Sequence, residues 1–298
     1  MRLIAGSSNP QLATEVATAL GVSLVKIASN IFANGERRVK VKDDVRGQDV
    51  VILQSFSSPA DQQIIEFLLL TDALERMGAK SVEAVIPWMG YSLQDKVFSP
   101  GEPISAKVVA DLVSNSFVRR VVLIDLHNTS IPAFFSVPTT HISAEQLMLE
   151  YVKDHLNHKQ TVVVSPDFGG LKRSRQFAKQ LDVELLNINK HRDLQTGKVT
   201  EVSLQGDVKG KQVILYDDII VGGSTAVETA KLLHAEGAKQ IYFLATHGLF
   251  AGGALDKIKS APIEKVVITN TIYHQTLPHN VETISIAKLI ADEVEFWK

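Results

Sequence analysis

Two adjacent acids close an apolar run in Val213-Ile214-Leu215-Tyr216-Asp217-Asp218-Ile219-Ile220, and Val221-Gly222-Gly223-Ser224-Thr225 follows at once. A strand, an acid pair and a small-residue loop opening a helix suit a sugar phosphate. Backbone N–H groups of the loop and of the helix N-terminus can hold a phosphate. Asp217 and Asp218 can accept hydrogen bonds from vicinal ribose hydroxyls. The same stretch also fits a plain tight turn with Ser or Thr as helix cap.

Two further acids stand at the ends of apolar runs. Asp125-Leu126-His127 follows Val121-Val122-Leu123-Ile124, and Ser165-Pro166-Asp167-Phe168-Gly169-Gly170 follows Val162-Val163-Val164. His127 and Asp167 together can hold Mg²⁺, which takes few protein ligands and fills its octahedron with water and substrate phosphate. A structural histidine and a capping aspartate are the bland alternatives. Asn189-Lys190-His191-Arg192-Asp193 leads into the polar stretch 194–200 and reads as a mobile basic loop. Lys190 and Arg192 share one side of an extended chain and can close over a transferring diphosphate. An ordinary solvated loop carries the same charges.

Several chemistries lack their motifs. No Gly-x-x-x-x-Gly-Lys-[Ser/Thr] loop occurs, no Gly-x-Gly-x-x-Gly follows a strand, and no His-Glu-x-x-His or Ser-His-Asp pattern is present. A bound nucleotide must therefore be held in another way.

The elements that would position these residues are continuous apolar runs alternating with amphipathic stretches. Val50–Leu53, Val82–Ile86, Val121–Ile124, Val162–Val164, Val213–Leu215 and Val266–Ile268 read as buried parallel strands, and Ala60–Met77 and Thr225–Ala235 as helices. The expected class is α/β, with mostly parallel sheets and ligands at strand C-terminal ends. The 298 residues favour two domains, with a junction expected in 145–160 around the polar stretch Lys153–Gln160. Arg119–Asp125 resembles Lys211–Asp217, the only echo between the halves. Lys and Arg number 31 against 33 Asp and Glu, so no positive field recruits nucleic acid or an anionic membrane. Cysteine is absent, which excludes disulfides and thiolate metal sites, and no apolar run approaches membrane-spanning length. A cytoplasmic location is expected.

Taken in order, these segments resemble the ribose-phosphate diphosphokinase family along essentially the whole chain. Further stretches carry the likeness: Gly6-Ser7-Ser8-Asn9, Phe32-Ala33-Asn34-Gly35-Glu36, Val45–Val50 with Gln54-Ser55, Gly90-Tyr91 with Gln94-Asp95-Lys96, and Pro103–Lys107. Pro166-Asp167-Phe168-Gly169-Gly170 is followed by Lys172-Arg173. The resemblance implies two Rossmann-like domains of the phosphoribosyltransferase type, 1–148 and 149–298, with the last residues packing back on the first. It implies Mg²⁺ on His127 and Asp167, and Lys190 and Arg192 as the catalytic basic pair. Phe32, Asn34, Glu36, Gln94, Asp95 and His127 would bind ATP, and Asp167, Asp217, Asp218, Gly222, Gly223, Ser224 and Thr225 ribose 5-phosphate. The Phe32–Glu36 loop would reach a neighbouring subunit's ATP site, in a homo-oligomer built on dimers and extending to a hexamer. Neither nucleic acid nor membrane is an expected partner.

Three departures from the family pattern stand out. Leu93 occupies the place of an arginine expected on ATP, Val221-Gly222 replaces two polar residues of the sugar-phosphate loop, and Val97–Glu102 replaces basic and polar residues. The leading expectation is diphosphate transfer from MgATP to O1 of ribose 5-phosphate. The alternatives are a catalytically weak regulatory paralogue and a phosphoribosyltransferase, although the latter would not need Phe32–Glu36, Gln94-Asp95 or Asp125-Leu126-His127.

Overall fold

The computed structural model describes residues 1–165, 169–192 and 199–297. The chain begins with β1 (Arg2–Ala5), α1 (Pro10–Leu20), β2 (Ile27–Ile31), β3 (Arg37–Val41), β4 (Asp49–Leu53), α2 (Ala60–Arg76) and β5 (Ser81–Ile86). It continues through α3 (Ser105–Ser114), β6 (Arg120–Ile124), β7 (Thr139–Ile142), α4 (Glu145–His155), β8 (Thr161–Ser165), α5 (Leu171–Leu181) and β9 (Glu184–Arg192). The remainder is β10 (Val199–Gln205), β11 (Gln212–Ile220), α6 (Ser224–Ala235), β12 (Gln240–Gly248), α7 (Ala254–Lys259), β13 (Lys265–Thr269), β14 (Val281–Ile284) and α8 (Ala287–Glu295).

Two compact units result. The first holds residues 1–143, 270–273 and 285–298, and the second residues 144–269 and 274–284. The first unit's sheet has the order β1-β4-β5-β6-β7, with every neighbour parallel. The second's order is β10-β9-β8-β11-β12-β13-β14, parallel except for the antiparallel β9–β10 pair. Both units are α/β, each a mostly parallel sheet flanked by helices.

The continuous apolar runs follow from burial on both faces. In β11, Val213 and Leu215 enter one core with Val162 and Val164, while Ile214 and Tyr216 enter another with Val163 and Leu244. Successive side chains point to opposite faces, so a strand covered on both sides needs apolar residues at every position. Burying each is worth roughly 2 kcal/mol. Polarity begins at Asp217, which is only half-buried.

Helix ends follow local chemistry. Asn9 caps α1 by accepting from the Leu12 N–H at 3.1 Å, Pro10 opens the helix, and Gly21 at φ 63° closes it. In the first unit α8 packs on α1, and the Asn9 amide donates to the Asn270 carbonyl at 2.7 Å.

The antiparallel hairpin β2–β3 stands outside the main sheet. It is tied to α2 through Glu66, whose side chain is fully buried. One Glu66 oxygen accepts from the Ser7 N–H (2.9 Å), the Ser7 hydroxyl (2.5 Å) and the Gln54 amide (3.1 Å). The other accepts from Ser29 Oγ at 2.9 Å and Arg37 Nη1 at 3.0 Å, one residue on each hairpin strand. Burial alone would raise the Glu66 pKa, but the Ser7 and Ser29 donors and the Arg37 charge outweigh it and hold the carboxyl below its usual range. A depressed native pKa means the stabilisation is present above the unfolded-state value and is lost as pH falls through the native one. Glu66→Ala removes the carboxylate that accepts from Arg37 and four further donors. It is expected to cost about 3 kcal/mol in urea unfolding and to remove amide-exchange protection across β2–β3.

Candidate active site

In the second unit the loop after β11 turns into α6 through Gly223, at φ 67°. A left-handed residue there favours glycine. Packing is close as well, since a Cβ on Gly223 would meet Ala254 and Ile258 of α7 at 3.5 Å. Asp217, Val221, Gly222, Gly223, Ser224 and Thr225 line a cavity of about 280 Å³, with Phe243 at its side. Asp217, the first of the two acids, therefore shares one cavity with the loop named from the sequence.

Arg173 of α5 was not among the expected site residues. Its Nη1 donates to Asp217 Oδ1 and Asp218 Oδ1, both at 2.7 Å. Asp218 is almost wholly enclosed, at 3% exposure, and the Asp217 carboxylate accepts from the Asp218 N–H at 2.9 Å. Burial pushes Asp217 up to about 7, the neighbouring Asp218 adds to the rise, and Arg173 opposes it. Lys257 of α7 is the other missed cation; it donates to Ser224 Oγ at 3.2 Å.

In the first unit, β6 ends in a sharp turn. Asp125 sits at φ 36°, outside the region most side chains prefer. The turn is held on every side. The Asp125 N–H donates to the Ile142 carbonyl at 3.0 Å, the Leu126 N–H to His141 Nε2 at 2.9 Å, and Ser143 Oγ to the Asp125 carboxylate at 2.7 Å. His127 emerges exposed from this turn. The next residue, Asn128, donates to the Asp95 carboxylate, and Gln94 accepts from Ser105 Oγ at the start of α3. Asp95 is thus tied to the turn that carries His127. The segment 97–102 closes on Glu102, whose carboxylate accepts from the Phe98 and Ser99 N–H groups at 3.1 and 3.0 Å. Leu93 is half-buried, and Val97 and Phe98 are exposed.

Phe32, Asn34 and Glu36 form the exposed tip of the β2–β3 hairpin. Asn34 Oδ1 accepts from the Glu36 N–H at 3.1 Å, and the Phe32 N–H donates to the Glu36 carbonyl at 2.8 Å, closing a tight turn around Gly35. Asp167 lies outside the described residues. The basic pair departs from the expected mobile loop: β9 continues through both residues, with Lys190 opposite Val202 and Arg192 opposite Val199. The backbone hydrogen bonds of that antiparallel pair outweigh the polar composition that suggested a loop.

Comparison with known proteins assigns the family. Residues 1–116 match the N-terminal domain of ribose phosphate pyrophosphokinase, and residues 194–296 match the phosphoribosyl synthetase-associated domain. The chain is 37% identical over 295 residues to a ribose-phosphate pyrophosphokinase of Aquifex aeolicus (strain VF5), covering 99% of this chain and 94% of the relative. It is 39% identical over 297 residues to one from Bradyrhizobium diazoefficiens, covering 99% and 93%. The chain belongs to the ribose-phosphate pyrophosphokinase family. The crystal structure of a phosphoribosylpyrophosphate synthetase from Mycobacterium smegmatis agrees in fold, with a TM-score of 0.91 and 36% identity over 99% of this chain and 97% of that one.

Membership of the ribose-phosphate pyrophosphokinase family makes the chain an enzyme, a transferase with two phosphoribosyltransferase-type units. Among the described residues no helix is long and apolar enough to cross a membrane.

The raised Asp217 carboxyl has a measurable consequence. Its native form holds a proton more tightly than the unfolded chain, whose value lies near 3.8. Its stabilising share is therefore full below that value and lost as pH rises through about 7. Between mildly acidic and mildly alkaline pH the wild type should lose on the order of 2 kcal/mol relative to Asp217→Asn. Urea midpoints of the two proteins across that range check this, and parallel curves would contradict it.

Proposed function

We propose that this protein transfers the diphosphate of MgATP to O1 of ribose 5-phosphate, giving 5-phosphoribosyl 1-diphosphate and AMP, in the cytoplasm. The observation that carries the reading is Asp217, bridged by Arg173 to Asp218, sharing a cavity with the loop that opens α6.

Loop N–H groups and the α6 N-terminus would hold the 5-phosphate, while Asp217 and Asp218 accept from the ribose hydroxyls and orient O1. The O1 oxygen attacks the β-phosphorus, the bond from that phosphorus to the α–β bridging oxygen breaks, and AMP leaves with the oxygen. The O1 proton is released. Gln94 and Asp95 would contact ATP, joined by Phe32, Asn34 and Glu36 from the hairpin of a second copy. Lys190 and Arg192 would offset the charge that grows on the transferring group.

His127 and Asp167 would hold the Mg²⁺, which supplies charge neutralisation on the phosphates. Among the described residues no cluster of three or more His, Asp or Glu could hold a metal. Mg²⁺ takes few protein ligands and fills its octahedron with water and substrate phosphate, and His127 is exposed.

The test is incubation with Mg²⁺, ATP and ribose 5-phosphate, quantifying AMP and 5-phosphoribosyl 1-diphosphate. Equal formation of both supports transfer. ATP binding without product would favour a regulatory nucleotide-binding subunit, a reading for which the half-buried Leu93 in the arginine's place is the motive.

A further inference from the structure

We infer that Lys257 is the cation of the sugar-phosphate cradle, replacing through space what the loop lacks in its own side chains; this rests on the sugar-phosphate reading of that loop. Val221 and Gly222 bring no polar side chain to the cavity, and the hydroxyls present are those of Ser224 and Thr225. Among the described residues lining the cavity, the one charged side chain is Asp217, an acid. The neighbouring cation, Arg173, is engaged with both carboxylates. A phosphate entering this cavity would meet backbone donors, two hydroxyls and a negative charge. A dianion bound beside a carboxylate needs a positive group within a few ångströms, because unlike charges at that range decide whether the site attracts or repels it.

Lys257 meets that need. Ala254 and Ile258 of α7 are the atoms nearest the position a Cβ would take on Gly223, so α7 is packed against the loop. This packing brings the Lys257 ammonium to 3.2 Å from Ser224 Oγ and 3.5 Å from the Gly222 carbonyl oxygen. The ammonium donates to one loop hydroxyl and to the Gly222 carbonyl and keeps a third N–H for an anion. Loss of the polar side chains at 221 and 222 is thus balanced from a different element, and the ligand class is a monophosphorylated sugar, not a neutral one.

Lys257→Gln, Lys257→Arg and, as control, the exposed Lys259→Gln of the same helix test this. The expected result for Lys257→Gln is an approximately tenfold rise in both KM and calorimetric Kd for ribose 5-phosphate, the loss of one charge-assisted hydrogen bond, with KM for ATP unchanged. Lys257→Arg should restore most of the affinity, Lys259→Gln should match the wild type, and high salt should narrow the difference. Unchanged ribose 5-phosphate affinity in Lys257→Gln, or an equal loss for ATP, overturns the assignment. If the wild type binds ribose 5-phosphate yet releases no AMP, the transfer reading falls while calorimetry still decides Lys257. If the wild type does not bind ribose 5-phosphate at all, both fall.

Discussion

Methionine in place of Arg173 is expected to lower kcat/KM for ribose 5-phosphate at least 100-fold and to destabilise the protein by about 3 kcal/mol. One nitrogen of Arg173 bonds both Asp217 and Asp218, and the three side chains are 28%, 23% and 3% exposed. Burial works against the guanidinium charge, but the two carboxylates more than repay it and raise its pKa. With the cation gone, two adjacent carboxylates would face each other in a largely dry setting. Asp217, already raised to about 7 with Arg173 opposing the rise, would hold its proton to higher pH still, and the pair could no longer present two ionised acceptors to a diol. Equilibrium unfolding and steady-state kinetics read the two losses separately. Normal stability with normal kinetics would show that the bridge is incidental to the site.

The second large effect is expected at Lys190. Lys190→Ala should reduce turnover about 1000-fold while ATP affinity stays within about twofold, the signature of a group whose interaction strengthens as charge develops in the transition state. Strand β9 runs through Lys190 and Arg192, and the ladder to β10 shifts register between Val199 and Glu201 beside them. Such irregularities re-aim a strand locally. Single-turnover rates with an independent ATP titration check the claim, and a wild-type rate would remove Lys190 from the chemistry.

Much of the fold was legible because its strands are buried on both faces. The runs at 50–53, 82–86, 121–124, 162–164, 213–215 and 266–268 all fall within observed strands, and α2 and α6 lie within a residue of their expected bounds. Short or exposed strands gave no such signal. β2 passes from half-buried to exposed, β3 alternates half-buried and exposed before its buried last residue, and β7 is half-buried throughout, in Thr139-Thr140-His141-Ile142. The long β12 has an uninterrupted apolar stretch, Ile241–Ala245, and was nevertheless passed over.

In the site, the loop residues could be named because small residues after an acid pair are a local pattern. Arg173 and Lys257 could not be assigned by spacing, since each reaches a residue lining the cavity, Asp217 or Ser224, from another helix. Lys172-Arg173, one residue after Gly169-Gly170, is the available hint for the first. Glu66 offered a different one: an acid four residues before Leu70 and three after Gln63 falls on the buried stripe of α2, where a charge demands partners.

The first unit's composition bears on how the chain reaches its native state. Residues 270–273 and 285–298 belong to the same unit as residues 1–143, so α1 acquires α8 as a neighbour only after the intervening segment has been made. During synthesis α1, buried in the finished unit at Leu12, Val16 and Leu20, would lack α8 while nearly the whole chain emerges from the ribosome. At about 5–20 residues per second that interval lasts on the order of ten seconds or longer, a period in which the surface of α1 that α8 covers stands open to chaperones and to other growing chains.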